Sequence, residues 1–201
     1  DGILQDLARQ TLSPKNFEVI VLNDGGGEDI QRVVETYRTR LNIIYSENTS
    51  ANRNIGFLRN RTIELSRGEF ILFLDDDTRL WQDDFLEKAR LLFQQTAAEL
   101  IMPEAHASYS VLSHRYAFLD SYSFANRCCF HRRKILSRFR GFRDINAYED
   151  VELGIRYSIA GVRVQQCADL KYLHPPLFYR SLQKPLATGQ ALLQLRKYYP
   201  F

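Results

Sequence analysis

The stretch E-F-I-L-F-L-D-D-D-T, at positions 69–78, joins an apolar run to three consecutive aspartates. The apolar part predicts a buried strand, and open α/β sheets bind their ligands at the carboxyl ends of such strands. Asp75, Asp76 and Asp77 would therefore meet at a ligand-binding edge. Adjacent carboxylates repel one another unless a cation or hydrogen bonds neutralise them, and oxygen ligands of this kind suit Mg²⁺ or Mn²⁺. The alternative is a solvated turn that caps a helix.

Strands and helices alternate on both sides of this stretch. Strands are predicted at 17–23, 41–45, 69–74 and 162–166, and helices at 2–10, 29–37, 54–66, 83–96, 149–160 and 186–198. Alternation with helices of about ten residues predicts βαβ units. The fold class is therefore α/β, a Rossmann-like, mostly parallel sheet flanked by helices on both faces. Mixed strands and loops are expected from about residue 100 to 130.

The length and composition limit the class of protein further. A chain of 201 residues with 45% hydrophobic residues has the size and core of one domain. We expect a single domain over 1–201, with a nucleotide-binding half over about 1–100 and an acceptor half over about 101–201. The longest apolar run, Phe70 to Leu74, is far shorter than a membrane span, which needs about 20 residues. No export signal is recognised, and the three cysteines fit reduced thiols, so a cytoplasmic protein is expected.

The net charge of +3 is too small to argue for a nucleic-acid partner, and none is expected. The segment 127–140 is nevertheless locally basic through residues such as Arg132, Arg133 and Lys134. Basic patches also contact phosphate-bearing ligands and anionic membrane surfaces. An anionic acceptor or a peripheral contact with the cytoplasmic face of a membrane therefore stays open.

Three further motifs accompany the triple aspartate. The turn F-E-V-I-V-L-N-D-G-G begins at Phe17, the dipeptide Arg59–Asn60 precedes Asp75 by sixteen and fifteen residues, and E-D-V-E-L-G-I-R-Y-S-I-A-G begins at Glu149. With these motifs, residues 2–175 resemble the nucleotide-sugar glycosyltransferases of family 2, which have the GT-A fold. The resemblance implies metal-dependent transfer of a sugar from a nucleotide diphosphate, with inversion at the anomeric carbon.

The resemblance also implies roles for individual residues on the donor side. Asp75 and Asp77 would hold Mn²⁺ or Mg²⁺ and the diphosphate, with Asp76 between them, and His174 would approach the metal or the diphosphate. Asp24 would contact the nucleotide base, and Asn126 would hydrogen-bond the donor sugar. Arg59 would be either a cation that faces the diphosphate or part of a structural ion pair.

On the acceptor side, the resemblance implies that Asp150, beside Glu149, is the catalytic base. It would take the proton from an acceptor hydroxyl as that oxygen attacks the anomeric carbon. From the residues alone, acidic capping of a helix would be the favoured interpretation. The partners implied are a UDP- or GDP-linked sugar and a carbohydrate, lipid-linked or other hydroxyl acceptor, as in polysaccharide or glycoconjugate synthesis.

The sequence departs from the family pattern in two places. The family's first strand is missing from these residues, and the loss of an inner strand would split the sheet. Asn23 and Gly26 to Gly27 stand where relatives have aspartate, serine and threonine.

Three other interpretations compete with glycosyl transfer. A haloacid-dehalogenase-like phosphatase has the motif DxDx(T/V) after an apolar strand, and Asp75 would begin it here. Arg79 stands at the fifth position of that motif, where threonine or valine is expected, and Thr78 lies one place early. A nucleotidyltransferase would need a lysine-containing glycine-rich first loop. A non-catalytic domain of the same shape is the third alternative.

Overall fold

Helices and strands alternate through the first hundred residues in the computed structural model, which describes residues 2–107, 128–174 and 183–199. The first part contains α1 (Gly2–Ala8), β1 (Val19–Asn23), α2 (Glu28–Tyr37), β2 (Ile43–Glu47), α3 (Ile55–Leu65), β3 (Phe70–Leu74), β4 (Arg79–Leu80), α4 (Phe85–Gln95) and β5 (Leu100–Ala107). The second part contains β6 (Cys128–Arg132), α5 (Arg133–Arg138), α6 (Glu149–Ile159), β7 (Val164–His174) and α7 (Gln183–Leu195). The predicted α/β class is confirmed.

The larger of the two sheets is mixed rather than mostly parallel, because strands from about residue 100 onward, where mixed strands were expected, enter it. β1 and β2 form a parallel pair, but the second sheet has the order β3-β6-β5-β7-β4 and is mixed. Within it β5 and β7 are parallel, and the other three pairings are antiparallel. A helix between two strands favours a parallel pair only when those strands become neighbours. Here β6 enters between β3 and β5 and runs against both, which the order of elements along the chain does not predict.

The five-stranded sheet has an apolar core on each face. Along β6, Cys128 and Phe130 pack into the core formed with α1 and α4, whereas Cys129 packs into the core formed with α5 and α6. Neighbouring side chains of a strand point to opposite faces, so one apolar run serves both cores. Both thiols are free and buried, and burial raises the pKa of Cys128. The sheet is thus covered on both faces, as predicted.

Between β1 and β3 the sheet is divided. The Glu18 carboxylate, next to the start of β1, accepts hydrogen bonds from the backbone N–H groups of Arg67 and Gly68, just before β3. The two strands therefore begin side by side, yet within the described residues β1 pairs with β2 alone and β3 with β6 alone. A cavity of about 1200 Å³ separates them, and Asp24 and Asp75, at the carboxyl ends of β1 and β3, both line it.

Two arginines of the basic segment make hydrogen bonds within the protein and stabilise its packing. Arg132 donates from Nε to the carbonyl of Ala98 at 2.8 Å, and Arg133 donates from Nε to the carbonyl of Gly68 at 2.7 Å. Arg133 also donates to the hydroxyl of Ser66 at 2.7 Å. Their guanidinium groups therefore fasten β6 and α5 to neighbouring loops. No helix in the described ranges combines the length and apolar character needed to cross a membrane.

Helix α1 is anchored by a buried carboxylate in its second half. Asp6 is 1% exposed and accepts hydrogen bonds from Arg79 Nε at 2.7 Å, from a second nitrogen of that guanidinium at 2.9 Å, and from the backbone N–H of Leu80 at 2.9 Å. Arg9 lies 3.3 Å from the same carboxylate. Asp6 thereby fixes α1 against β4, two residues after Asp77.

We expect Asp6→Ala to lower the free energy of unfolding by about 2–3 kcal/mol, because it leaves the buried Leu80 N–H without an acceptor. Asp83 contacts Arg9 at 3.0 Å but is exposed, so Asp83→Ala should change stability by about 1 kcal/mol or less. Urea unfolding of both variants checks this. Equal losses would contradict the special role of Asp6.

Candidate functional site

The carboxyl end of β3 and the last residue of β7 meet at one point. His174 Nε2 lies 3.2 Å from Asp77 Oδ1 and 3.8 Å from Asp75 Oδ2. His174 is buried, Asp75 is half-buried and Asp77 is exposed, so the group opens on its Asp77 side. The antiparallel pairing of β4 with β7 produces this meeting, because it places Leu173 opposite Arg79, two residues after Asp77.

These three side chains have the chemistry of a cation site. One ligand atom from each of Asp75, Asp77 and His174 can be chosen so that all three lie within 4.8 Å of one another. Two carboxylates and an imidazole fit a divalent cation that accepts mixed oxygen and nitrogen ligands, such as Mn²⁺. Asp76 is exposed and lies outside this group of three.

Arg59, from the middle of α3, links this group to the start of α6. Its Nε lies 2.8 Å from Glu149 Oε1, and another of its nitrogens lies 3.5 Å from Asp75 Oδ1. The guanidinium carbon is 5.6 Å from the centre of the Phe73 ring and 5.7 Å from that of the Phe142 ring, within cation–π range. Arg59 therefore makes the ion pair that was one of its two predicted roles, and its role toward a diphosphate stays a prediction.

The acidic pair at the start of α6 divides into a buried and an open member. Glu149 is 3% exposed, and its burial raises its pKa to about 7. Arg59 opposes this shift, and the charge of Asp150 reinforces it. Asp150 is half-buried, and its Oδ1 accepts a hydrogen bond from the backbone N–H of Val151 at 2.8 Å. Of the two, Asp150 is the carboxylate with access to solvent.

The glycine turn after β1 presents Asp24 in a fixed position. Asn23 is buried, and its Oδ1 accepts from the backbone N–H of Gly26 at 2.8 Å. Gly25 has φ of +93°, and a Cβ there would lie 2.8 Å from a guanidinium nitrogen of Arg53. This nitrogen donates to Asp24 Oδ1 at 2.7 Å, so Gly25 leaves the room that Arg53 needs. The departure at Asn23 therefore has a local function, which is to close the turn.

Sequence reasoning missed the contacts that hold the acidic pair in place. Asn60, next to Arg59, accepts from the backbone N–H of Phe142 at 2.9 Å and donates to its carbonyl at 2.8 Å. Gly56 packs so closely that a Cβ would lie 1.9 Å from the carbonyl oxygen of Arg143. The Arg59–Asn60 dipeptide was the available signal, but nothing in it indicates which segment Asn60 binds.

The structure brings most of the predicted site residues around one region. Asp24, Arg59, Asp75, Asp76, Asp77 and His174 all line the cavity between β1 and β3, and Arg59 connects Glu149 to it. Asn126 lies outside the described residues. The metal, donor and catalytic roles of these residues remain predictions.

Solved structures support the same fold. Residues of Staphylococcus aureus TarS 1–349 in complex with UDP-GlcNAc superpose with a TM-score of 0.74 at 21% identity, covering 89% of this chain and 55% of that one. The mannosyltransferase PcManGT from Pyrobaculum calidifontis, in complex with GDP-Man and Mn²⁺, superposes with a TM-score of 0.72 at 16% identity, covering 95% and 57%. The described fold is therefore that of the GT-A glycosyltransferases.

The sequence comparisons identify the family. The Glycosyl transferase family 2 pattern matches residues 2–152, and the chain belongs to that family. Among curated proteins, the poly(ribitol-phosphate) beta-N-acetylglucosaminyltransferase TarS of Staphylococcus aureus (strain Mu50) is 28% identical over 100 residues. That match covers 50% of this chain and 18% of TarS, so the chain corresponds to only part of the relative. Family membership favours glycosyl transfer over the phosphatase and nucleotidyltransferase interpretations.

The raised pKa of Glu149 predicts a dependence of stability on pH. Since the pKa is about 7 in the folded protein and about 4.3 in an unfolded chain, the folded state binds this proton more tightly. This group therefore lowers the free energy of unfolding as the pH rises from about 4.3 to 7.

In Glu149→Gln this loss should disappear, so the variant should gain stability relative to the parent across that range. Urea unfolding at several pH values measures the difference, with Glu64→Gln on the exposed face of α3 as the control for a lost carboxylate. A difference between parent and Glu149→Gln that stays constant with pH would contradict the assignment.

Proposed function

We propose that this chain carries an inverting, metal-dependent glycosyltransferase activity that moves a sugar from a nucleotide diphosphate to a hydroxyl acceptor. The observation that carries the proposal is the pairing of Asp75, Asp77 and His174 with the acids of α6 through Arg59. The first group has the chemistry to hold a cation and a diphosphate, and the second has the chemistry to take a proton. The chain would act as one domain, because both of its halves contribute to the site. Asp75 and Asp77 come from the half over about 1–100, and His174, Glu149 and Asp150 come from the half over about 101–201.

On the donor side, Asp75, Asp77 and His174 would hold Mn²⁺ or Mg²⁺, and the imidazole favours Mn²⁺. When bound, such a cation supplies Lewis-acid stabilisation of the charge that develops on a departing diphosphate. Asp24 would contact the nucleotide base from the far side of the same cavity, and Arg53, which donates to its Oδ1 at 2.7 Å, would orient its carboxylate. Arg59 contributes positive charge close to Asp75, which limits the repulsion among the aspartates.

On the acceptor side, Asp150 would accept the proton of the attacking hydroxyl as the bond to the anomeric carbon forms and the bond to the diphosphate breaks. Its partial exposure lets an acceptor approach, which the burial of Glu149 does not. Glu149 would instead position the start of α6 through its contact with Arg59. A single in-line displacement of this kind inverts the stereochemistry of the sugar.

The donor nucleotide is proposed to be UDP or GDP. TarS was crystallised with UDP and with UDP-GlcNAc, and PcManGT was crystallised with GDP-Man and Mn²⁺. The acceptor is proposed to be a carbohydrate, a lipid-linked or another hydroxyl compound, in polysaccharide or glycoconjugate synthesis. TarS, named as a poly(ribitol-phosphate) transferase, is one relative with a polymeric acceptor.

Metal-dependent nucleotide binding is the first test. Calorimetric titration with UDP and with GDP should give binding to one of them that strengthens when Mn²⁺ is present. Asp77→Ala should weaken the Mn²⁺-dependent binding by about tenfold or more, since even residues that only support metal ligands typically contribute 10- to 100-fold. Asp169→Ala, at an exposed position of β7, is the control. No binding of either nucleotide to the parent would count against this donor class.

Turnover tests the assignment of the base. Asp150→Asn should keep nucleotide binding nearly intact while lowering the rate of transfer by about 10²–10⁴, the usual contribution of general-base catalysis. The measurement is release of the nucleotide that binds, from its sugar conjugates, in a screen of hydroxyl acceptors. If Asp150→Asn turned over as fast as the parent, Asp150 would not be the base; loss of nucleotide binding in this variant would instead indicate a structural role.

A further inference from the structure

The loop between α5 and α6, residues 139–148, leads directly into Glu149 and Asp150 and has an unusual backbone. Arg140 has φ of 58° and Tyr148 has φ of 61°, and neither is a glycine. Left-handed conformations at such residues are strained and persist only where the surroundings hold them. The position of the acids on α6 therefore depends on the contacts that this α5–α6 loop makes.

One of these contacts reaches the nucleotide side of the site. Asp144, in the middle of the α5–α6 loop, accepts a hydrogen bond on each carboxylate oxygen. Asn52 donates from Nδ2 to Oδ2 at 2.8 Å, and Asn54 donates from Nδ2 to Oδ1 at 2.9 Å. Both amides belong to residues 48–54, the loop between β2 and α3. A single carboxylate thus joins two loops that lie about 90 residues apart in the chain.

The same β2–α3 loop is held at its other end by Asp24. Asn48 Nδ2 and a guanidinium nitrogen of Arg53 both donate to Asp24 Oδ1 at 2.7 Å. Asn48 Nδ2 also donates to the carbonyl of Asn52 at 2.9 Å, which connects the two ends. A continuous series of hydrogen bonds therefore runs from Asp24, through the β2–α3 loop, to Asp144.

We propose that Asp144 is a positioning residue that couples occupancy of the nucleotide site at Asp24 to the placement of the acids on α6. This inference rests on the proposed function, because it takes Asp24 as a nucleotide contact and Asp150 as the base. A nucleotide that binds Asp24 must share that carboxylate with Asn48 and Arg53. It thereby changes the order of the β2–α3 loop, and the two bonds to Asp144 carry this change into the α5–α6 loop.

The contact can be broken by single substitutions and rebuilt by a double one. Asp144→Ala removes both acceptor oxygens, so neither amide keeps its partner. In Asn54→Asp, two carboxylates face each other at hydrogen-bond distance. In the double variant, which combines Asn54→Asp with Asp144→Asn, the amide and the carboxylate exchange places. Asn52 then donates to the amide oxygen at position 144, and the amide NH₂ at 144 donates to the carboxylate at position 54. Asn54 is the N-cap residue of α3, a position that aspartate fills about as well as asparagine.

The test is hydrogen–deuterium exchange of the whole chain, with and without UDP or GDP, in the presence of Mn²⁺. In the parent, the nucleotide should slow exchange at residues 48–54 and, by about fivefold or more, at residues 139–148. In Asp144→Ala and in Asn54→Asp, slowing at 48–54 should remain while slowing at 139–148 is lost. The double variant should restore it. Asn42→Asp, at an exposed position before β2, controls for the added charge, and circular dichroism confirms that each variant folds.

Failure of this inference is distinct from failure of the proposed function. If neither nucleotide binds the parent, the proposed donor class fails, and the coupling fails with it. If a nucleotide slows hydrogen exchange at residues 48–54 of the parent but not at 139–148, the coupling is overturned, whereas the proposed glycosyltransferase function is not contradicted. The coupling is also overturned if the single variants keep the parent's slowing at 139–148, or if the double variant does not regain it.

Discussion

The arrangement of the site depends on one guanidinium group. Asp75 and Glu149 come from different secondary-structure elements, and two carboxylates brought close together in a partly buried site repel each other. Arg59 lies between them, at 3.5 Å from one and 2.8 Å from the other, and its flat faces lie near two aromatic rings. Burial alone favours the protonated form of Glu149, and Arg59 partly offsets this effect. Arg59, carried by α3, therefore offsets the repulsion between Asp75, which follows β3, and Glu149, which begins α6.

The packing of α3 makes this position possible. Gly56 allows the helix to approach the α5–α6 loop more closely than any side chain would permit, and Asn60 bonds both backbone groups of Phe142. One face of α3 thus supplies the cation, the close approach and the loop anchor, and the loop before α3 adds the two amides on Asp144. The Asp24 side and the Glu149–Asp150 side of the site are joined chiefly through this helix and its preceding loop.

The carboxyl ends of β1 and β3 carry the acidic groups on opposite sides of one cavity. Asp24 stands at the end of β1, and the aspartates after β3 stand across the cavity that lies between these strands. Glu18 ties the amino ends of the two strands together, so their carboxyl ends face the same opening. In the proposed function, Asp24 would contact the nucleotide base and the aspartates after β3 would hold the diphosphate.

Local patterns in the sequence predicted most of the helices and the acidic end of β3, but not β4, β5, β6 or α5 as separate elements, nor the extension of β7 to His174. The predicted strand 69–74 and helix 149–160 match β3 (Phe70–Leu74) and α6 (Glu149–Ile159) to within a residue at each end, because their apolar periodicity and flanking residues are local properties. The family was also recognisable, since its motifs are short and ordered along the chain.

Only the tertiary structure decided where those elements lie. The antiparallel entry of β6 between β3 and β5, the meeting of His174 with Asp77, and the contact of Asn52 and Asn54 with Asp144 all join residues far apart in sequence. No local periodicity encodes such pairs. The sequence by itself therefore determined which chemical groups this protein has and on which elements they stand, whereas packing determined which of them meet, because contact across the fold is set by strand order and close helix approach.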